Sequence, residues 1–107
     1  MISTHILDTS LGSPGASITV SLELEGTKGW NKIAEDKTNS DGRISFNCPA
    51  QGGVYRITFF TEDYFKGLKQ ESFFQNPSVV FKISNTSRKY HIPLLLNPYS
   101  YSTYRGS

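Results

Sequence analysis

The sequence is poor in the features that cross-link a protein or anchor it in a membrane. Its 107 residues include one cysteine, Cys48, so no disulfide can form within the chain. A lone cysteine followed by Pro49 is expected to be a small buried hydrophobic residue rather than a nucleophile. No apolar run approaches the roughly 20 residues that a membrane-spanning helix needs, so no membrane segment is expected.

Strong charge and targeting signals are also missing. The net charge is +2 and the pI is about 8.7, and no run of Lys and Arg provides the basic stripe that nucleic acids require. Met1–Thr4 lacks the basic and then apolar order of a signal peptide, and the C-terminal Arg-Gly-Ser is not the peroxisomal Ser-Lys-Leu address. The cytoplasm is therefore the expected compartment, with the periplasm or peroxisome as alternatives if a targeting segment was removed.

The common catalytic and metal-binding motifs are absent as well. The chain has no Gly-rich phosphate loop, no Ser-His-Asp order and no paired carboxylate motif. Two histidines and one cysteine do not form a set of four zinc ligands, so no metal is expected within one chain, while a site shared between subunits stays open. The remaining candidates for chemistry are His5, His91 and two arginines, Arg43 and Arg105.

What the sequence does have is period-two alternation. Ser17–Glu25 carries an apolar side chain at every even position, as a strand with one buried face does. Glu62–Lys69 is the one helical candidate. Strands at this spacing, separated by Gly-, Pro- and Asn-rich turns, predict one domain over residues 1–107, an all-β antiparallel sandwich of two sheets. The eight expected strands are Ser3–Thr9, Ser17–Glu25, Trp30–Lys37, Arg43–Phe46, Gly53–Glu62, Val79–Ile83, Tyr90–Leu96 and Tyr99–Arg105.

Strand parity indicates which polar side chains share a face. His5 and His91 both lie within strands, and a histidine titrates near neutrality and can move a proton in either direction. The alternative for each is a structural strand histidine, and for Arg43 an exposed arginine. If the three strands belong to one sheet, parity predicts convergence on its outer surface. That face would carry Ser3, His5 and Leu7 from the first strand, His91, Pro93 and Leu95 from the seventh, and Ser102 and Tyr104 from the last.

The end of the chain is unusual for a terminus because it is rich in tyrosine and closes on Tyr104-Arg105-Gly106-Ser107. Solvated tails are usually poor in apolar residues. We therefore expect a packed final strand, with the carboxylate of Ser107 held in a fixed place.

Four segments of the chain match a known family: His5–Thr9, Asp41-Gly42-Arg43, Tyr90–Leu96 and Tyr101–Ser107. With these segments the chain resembles the transthyretin-like family over essentially its whole length, and within it the 5-hydroxyisourate hydrolases. The resemblance implies two four-stranded sheets with one short helix. It also implies a homotetramer, a dimer of dimers with a channel between the dimers.

The resemblance further implies a hydrolase that opens the six-membered ring of 5-hydroxyisourate at a cyclic amide C–N bond, without a cofactor. The product would be 2-oxo-4-hydroxy-4-carboxy-5-ureidoimidazoline, in urate degradation. We expect His91 to take a proton from water and His5 to orient the water or return a proton, although the sequence does not fix this order. The expected catalytic residues are His5, Arg43, His91 and Ser107, and the expected substrate-binding residues are Ser102, Tyr104, Arg105 and Gly106.

Two other functions compete with this one. A transthyretin-like carrier could bind a small aromatic ligand in the same channel, because fold alone does not fix function. An inert β-sandwich interaction domain is the second alternative. Neither needs paired proton-transfer groups or the Tyr-Arg-Gly-Ser ending, and this favours the hydrolase.

Overall fold

Alternating residues form nine strands and one short helix in the computed structural model, which describes residues 1–48 and 51–106. The elements are β1 (Ile2–Asp8), β2 (Ser13–Pro14), β3 (Thr19–Gly26), β4 (Gly29–Lys37), β5 (Arg43–Phe46), β6 (Gly53–Phe59), α1 (Thr61–Gly67), β7 (Ser78–Ile83), β8 (Tyr90–Asn97) and β9 (Ser100–Thr103).

The strands form two sheets, which confirms the predicted sandwich. One sheet has the order β2-β1-β8-β9, with β5 also paired to β1, and the other has the order β4-β3-β6-β7. Two details differ from the expectation of two antiparallel four-stranded sheets. The two-residue strand β2 adds a fifth member, and β1 pairs with β8 in parallel. A two-residue strand within a Gly- and Pro-rich turn is too short to show periodicity.

The observed boundaries of strands and helix differ most from the predicted ones around the helix and at the end of the chain. The helix α1 starts at Thr61, so the strand expected to reach Glu62 ends at Phe59. The last strand is shorter than predicted and ends at Thr103, with Gly106 forming an isolated bridge to His91. No helix in residues 1–48 and 51–106 is long and apolar enough to cross a membrane.

The core lies between the sheets and comes from the inward faces of their strands. Val20 and Leu22 of β3 are fully buried, as the alternation predicted, and Ile57 of β6 is fully buried as well. Burying an aliphatic side chain of this size contributes about 1.5–3 kcal/mol. Cys48 is half-buried and packs against this core, and burial raises the pKa of its thiol. It is thus a packing residue, as expected.

A buried carboxylate fixes the end of β1, the strand that carries His5. Asp8 is fully buried, and its two oxygens accept hydrogen bonds from Ser10, the backbone N–H of Leu11 and the hydroxyl of Tyr64 on α1. Burial raises the pKa of Asp8, but these hydrogen bonds lower it by more, so the carboxylate stays charged. The C-terminal end of β1 is therefore linked to α1 by a hydrogen bond.

Gly42 allows the turn before β5 to approach β1 closely. Its φ is +71°, and a Cβ there would lie 2.6 Å from the carbonyl oxygen of Ile6. We expect Gly42→Ala to lower the free energy of unfolding by about 2 kcal/mol or more, since strain and clash both act. Gly12→Ala is the matched control, because Gly12 has φ +66° but nothing within 4 Å. It should lose about 1 kcal/mol from strain alone. Urea unfolding measures both, and equal losses would contradict a role for the contact with Ile6.

Candidate active site

The parallel pairing of β1 with β8 brings the two histidines together. Ser3 lies opposite His91 and His5 lies opposite Pro93, so the side chains of Ser3, His5 and His91 share the outer face of this sheet. His5 and His91 are diagonal neighbours across the pair, which is within reach of two aromatic side chains. The convergence expected from parity therefore occurs.

A chain of short contacts links these three side chains. The hydroxyl oxygen of Ser3 lies 2.7 Å from Nδ1 of His91, and Nε2 of His91 lies 2.7 Å from Nδ1 of His5. The rings are tilted by 32° with centroids 4.9 Å apart. Both nitrogens of His91 are thus engaged, whereas Nε2 of His5 has no hydrogen-bond partner in the described part of the chain.

Arg43 is brought to the same face from the other side of β1. β5 pairs with β1 antiparallel and places Arg43 opposite His5. The side-chain oxygen of Asn39 accepts hydrogen bonds from the backbone N–H groups of Asp41 (2.9 Å) and Arg43 (3.0 Å), which fixes the turn before the strand. The Arg43 side chain is exposed to the cleft, where its planar fork can bind carbonyl or carboxylate oxygens.

The surroundings favour neutral histidines. Burial lowers the pKa of His91 from its usual 6.5, and the positive charge of Arg43 lowers it further. The pKa of His5 is lowered first by burial, then by His91 and then by Arg43. At pH 7 both rings are therefore largely neutral, and a neutral imidazole can accept a proton from water.

These side chains line an open cleft of about 630 Å³, a size suited to a small ligand. Five of the residues expected from the sequence meet there: His5, Arg43, His91, Tyr104 and Gly106. Across residues 1–48 and 51–106, no three His, Cys, Asp or Glu side chains come together as a metal site would require. The cleft thus combines a neutral histidine pair with the guanidinium of Arg43.

Two other expected residues, Ser102 and Arg105, do not join this group. Ser102 is exposed on β9, opposite Leu95, and it does not line the cleft. The guanidinium of Arg105 stacks 4.8 Å from the ring centroid of Tyr90 and lines a separate cavity of about 180 Å³. Ser107 lies outside the described residues.

The cleft also contains residues that were not candidates from the sequence: Ser3, Asn39 and Lys89. Parity placed Ser3 on the same face as His5, but nothing in the sequence indicated a role for it. Lys89 directly precedes β8 and adds a second positive charge to the cleft. No periodic signal marks Asn39 or Lys89, because both lie just outside strands.

The close approach of Gly106 to His91 explains the small residue in the closing segment. A Cβ on Gly106 would lie 2.7 Å from Cδ2 of His91. We expect Gly106→Ala to displace the imidazole ring of His91. The kcat/KM of the hydrolysis expected from the sequence should then fall about 10-fold or more, because small displacements of catalytic groups lower reaction rates strongly. Gly67→Ala is the control, since nothing lies within 4 Å of its Cβ position. An active Gly106→Ala variant with normal kcat/KM would contradict this explanation.

Comparisons with known proteins agree on one family. Residues 2–106 match the HIUase/Transthyretin family. A 5-hydroxyisourate hydrolase from Salmonella dublin is 44% identical over 110 residues, covering 100% of this chain and 81% of that protein. The structure of Klebsiella pneumoniae 5-hydroxyisourate hydrolase superimposes with a TM-score of 0.88 at 39% identity, covering 99% of this chain and 98% of that one.

A transthyretin solved with a bound ligand has a similar backbone as well. Sea bream transthyretin in complex with thyroxine gives a TM-score of 0.91 at 30% identity, covering 98% of this chain and 93% of that chain. Backbone similarity therefore does not separate the two functions, and the chemistry of the site must. The match over residues 2–106 and the identity to full-length relatives show that the chain belongs to the HIUase/Transthyretin family.

Proposed function

We propose that this chain hydrolyses 5-hydroxyisourate to 2-oxo-4-hydroxy-4-carboxy-5-ureidoimidazoline in urate degradation. The observation that carries the proposal is the hydrogen-bonded pair of His5 and His91 beside Arg43 in one cleft. Its relatives named 5-hydroxyisourate hydrolases, at about 40% identity over nearly the whole chain, support the same reaction. The reaction class is hydrolysis of a cyclic amide C–N bond.

The geometry favours His5 as the residue that contacts the attacking water, the reverse of the order expected from the sequence. Both ring nitrogens of His91 are engaged, and Nε2 of His5 is the one without a partner among the described residues. In the first step an O–H bond of water breaks, its proton moves to Nε2 of His5, and its oxygen bonds to the carbonyl carbon. When the ring C–N bond breaks, His5 returns the proton to the leaving nitrogen.

Arg43 stabilises the charge that develops in this step. Its guanidinium lines the cleft next to His5 and can donate two hydrogen bonds to the substrate carbonyl that becomes an oxyanion. Tyr104 and Lys89 line the same cleft and would bind the remaining carbonyl groups of this flat, polar substrate. The carboxylate of Ser107 is proposed to orient the water or a histidine.

We further propose a homotetramer with the cleft in a channel between dimers. Its support in this chain is an exposed aromatic cluster formed by Phe73, Phe74 and Tyr101, with ring centroids 5.0 and 5.4 Å apart. Phe73 is 71% exposed and Phe74 45%, and contiguous exposed apolar groups usually mark contacts between proteins. Analytical ultracentrifugation tests the assembly.

A carrier function is the second candidate, because the thyroxine-binding sea bream protein has the same backbone fold. The histidine pair and Arg43 place proton-accepting and charged groups in the cleft, which suits proton transfer better than retention of an apolar ligand. The hydrolase remains the function that the site supports best.

The activity should depend on pH through the histidine pair. Burial and Arg43 lower the pKa of both rings from 6.5, so the neutral, proton-accepting form persists below that pH. We expect kcat/KM to fall at acid pH with a midpoint below 6.5, as the pair takes up its first proton. A pH profile of kcat/KM measures this, and a midpoint above pH 6.5 would contradict the lowered pKa values of the pair.

A coupled ultraviolet assay tests the reaction directly. Urate oxidase generates 5-hydroxyisourate in the cuvette, and its absorbance decay is followed with and without the protein. We expect acceleration in proportion to protein concentration, and its loss in His5→Ala. Decay at the spontaneous rate with folded protein would contradict the hydrolase, and thyroxine titration would then test the carrier.

A further inference from the structure

The hydroxyl of Ser3 has one hydrogen-bond partner among the described residues, Nδ1 of His91 at 2.7 Å. Ser3 is half-buried, and β1 is paired on both sides at this position, with Ser45 on β5 and His91 on β8. The serine is therefore held in place at the inner end of the contact chain that continues through His91 to His5.

The direction of the hydrogen bonds from Ser3 through His91 to His5 decides whether Nε2 of His5 faces the cleft as a lone pair or as an N–H group. With its proton on Nδ1, His91 donates to Ser3, and its Nε2 accepts from Nδ1–H of His5. Nε2 of His5 then carries a lone pair and can act as a base. With its proton on Nε2, His91 donates to His5 instead. Nε2 of His5 then carries a hydrogen and can only donate.

The charges around the cleft favour the first direction. Arg43 and Lys89 both line it and are positive, and Tyr104 is the other titratable group of the described residues there. Positive charge is attracted to the negative end of a dipole, which in this direction is the lone pair of His5. We propose that Ser3 is a positioning residue that accepts a hydrogen bond from Nδ1–H of His91 and so keeps Nε2 of His5 unprotonated toward the cleft.

This inference rests on the proposed hydrolase reaction for its kinetic test. Ser3→Ala should let His91 move its proton to Nε2, and we expect kcat to fall about 10-fold with little change in KM. Ser3→Thr keeps the hydroxyl, and its kcat should be close to that of the parent protein. Ser78→Ala removes a strand serine hydroxyl on the other sheet, 2.8 Å from the hydroxyl of Thr58 and away from the cleft, and its kcat should stay within about twofold of the parent.

Long-range proton–nitrogen NMR spectra of the imidazole rings, recorded at about pH 8 where the rings are neutral, test the same inference without turnover. We expect the proton of His91 on Nδ1 in the parent and in Ser3→Thr, with a shift toward Nε2 in Ser3→Ala. A parent protein with the proton of His91 on Nε2, or an unchanged tautomer and kcat in Ser3→Ala, would overturn the role of Ser3. An inactive parent with the expected tautomer would instead contradict the proposed reaction while supporting the hydrogen bond.

Discussion

His5→Ala is expected to lower kcat/KM for 5-hydroxyisourate by about 1000-fold, within the range for a general base. His5 carries the ring nitrogen that has no protein partner among the described residues, and it faces the cleft. His91→Ala should cost about 100-fold, because His5 loses the partner that orients it and shares its positive charge. Initial rates in the coupled assay measure both.

A double variant of His5 and His91 shows whether the two histidines act as one unit or independently. If His91 acts through His5, His5→Ala with His91→Ala should be little worse than His5→Ala alone, since groups that act as a unit are not additive. The control is thermal unfolding of each variant, which should show a cooperative transition above the assay temperature. A larger loss in His91→Ala than in His5→Ala would restore His91 as the base.

Arg43→Met is expected to lower kcat/KM by about 100- to 1000-fold, the typical effect of removing an oxyanion donor. Arg43→Lys keeps the charge without the planar fork and should recover part of this activity. The pH profile gives a second measurement. Because Arg43 lowers the pKa of both histidines, its removal should move the acid decline of kcat/KM to higher pH, and Arg43→Lys should not.

Arg88→Met is the matched control for this experiment. Arg88 is exposed in the connection before β8 and forms no ion pair with another described residue. Its replacement removes the same charge from the protein outside the cleft, so rate and pH profile should both stay unchanged. Near-normal turnover in Arg43→Met, with normal turnover in the control, would contradict the oxyanion role.

Much of the site could be read from strand parity. The spacing of two between Ser3 and His5 put both side chains on one face, and the register of β1 with β8 added His91 to it. The turn Asp41-Gly42-Arg43 predicted an arginine at the start of a strand, which is where β5 begins. Parity did not predict that Arg105 would stack on Tyr90, because residues beyond the end of β9 no longer alternate.

The sequence by itself determined the sandwich, the inward and outward faces of its strands, and the family to which the chain belongs. The assembly, the compartment and the role of Ser107 stay predictions. Tertiary structure decided the parallel pairing of β1 with β8 and the contact order from Ser3 through His91 to His5. The physical reason is that the alternation of side chains is a local property of each strand, and it fixes the face on which a residue lies. The direction and register of strands about 90 residues apart depend instead on how the whole core packs, which no local pattern encodes.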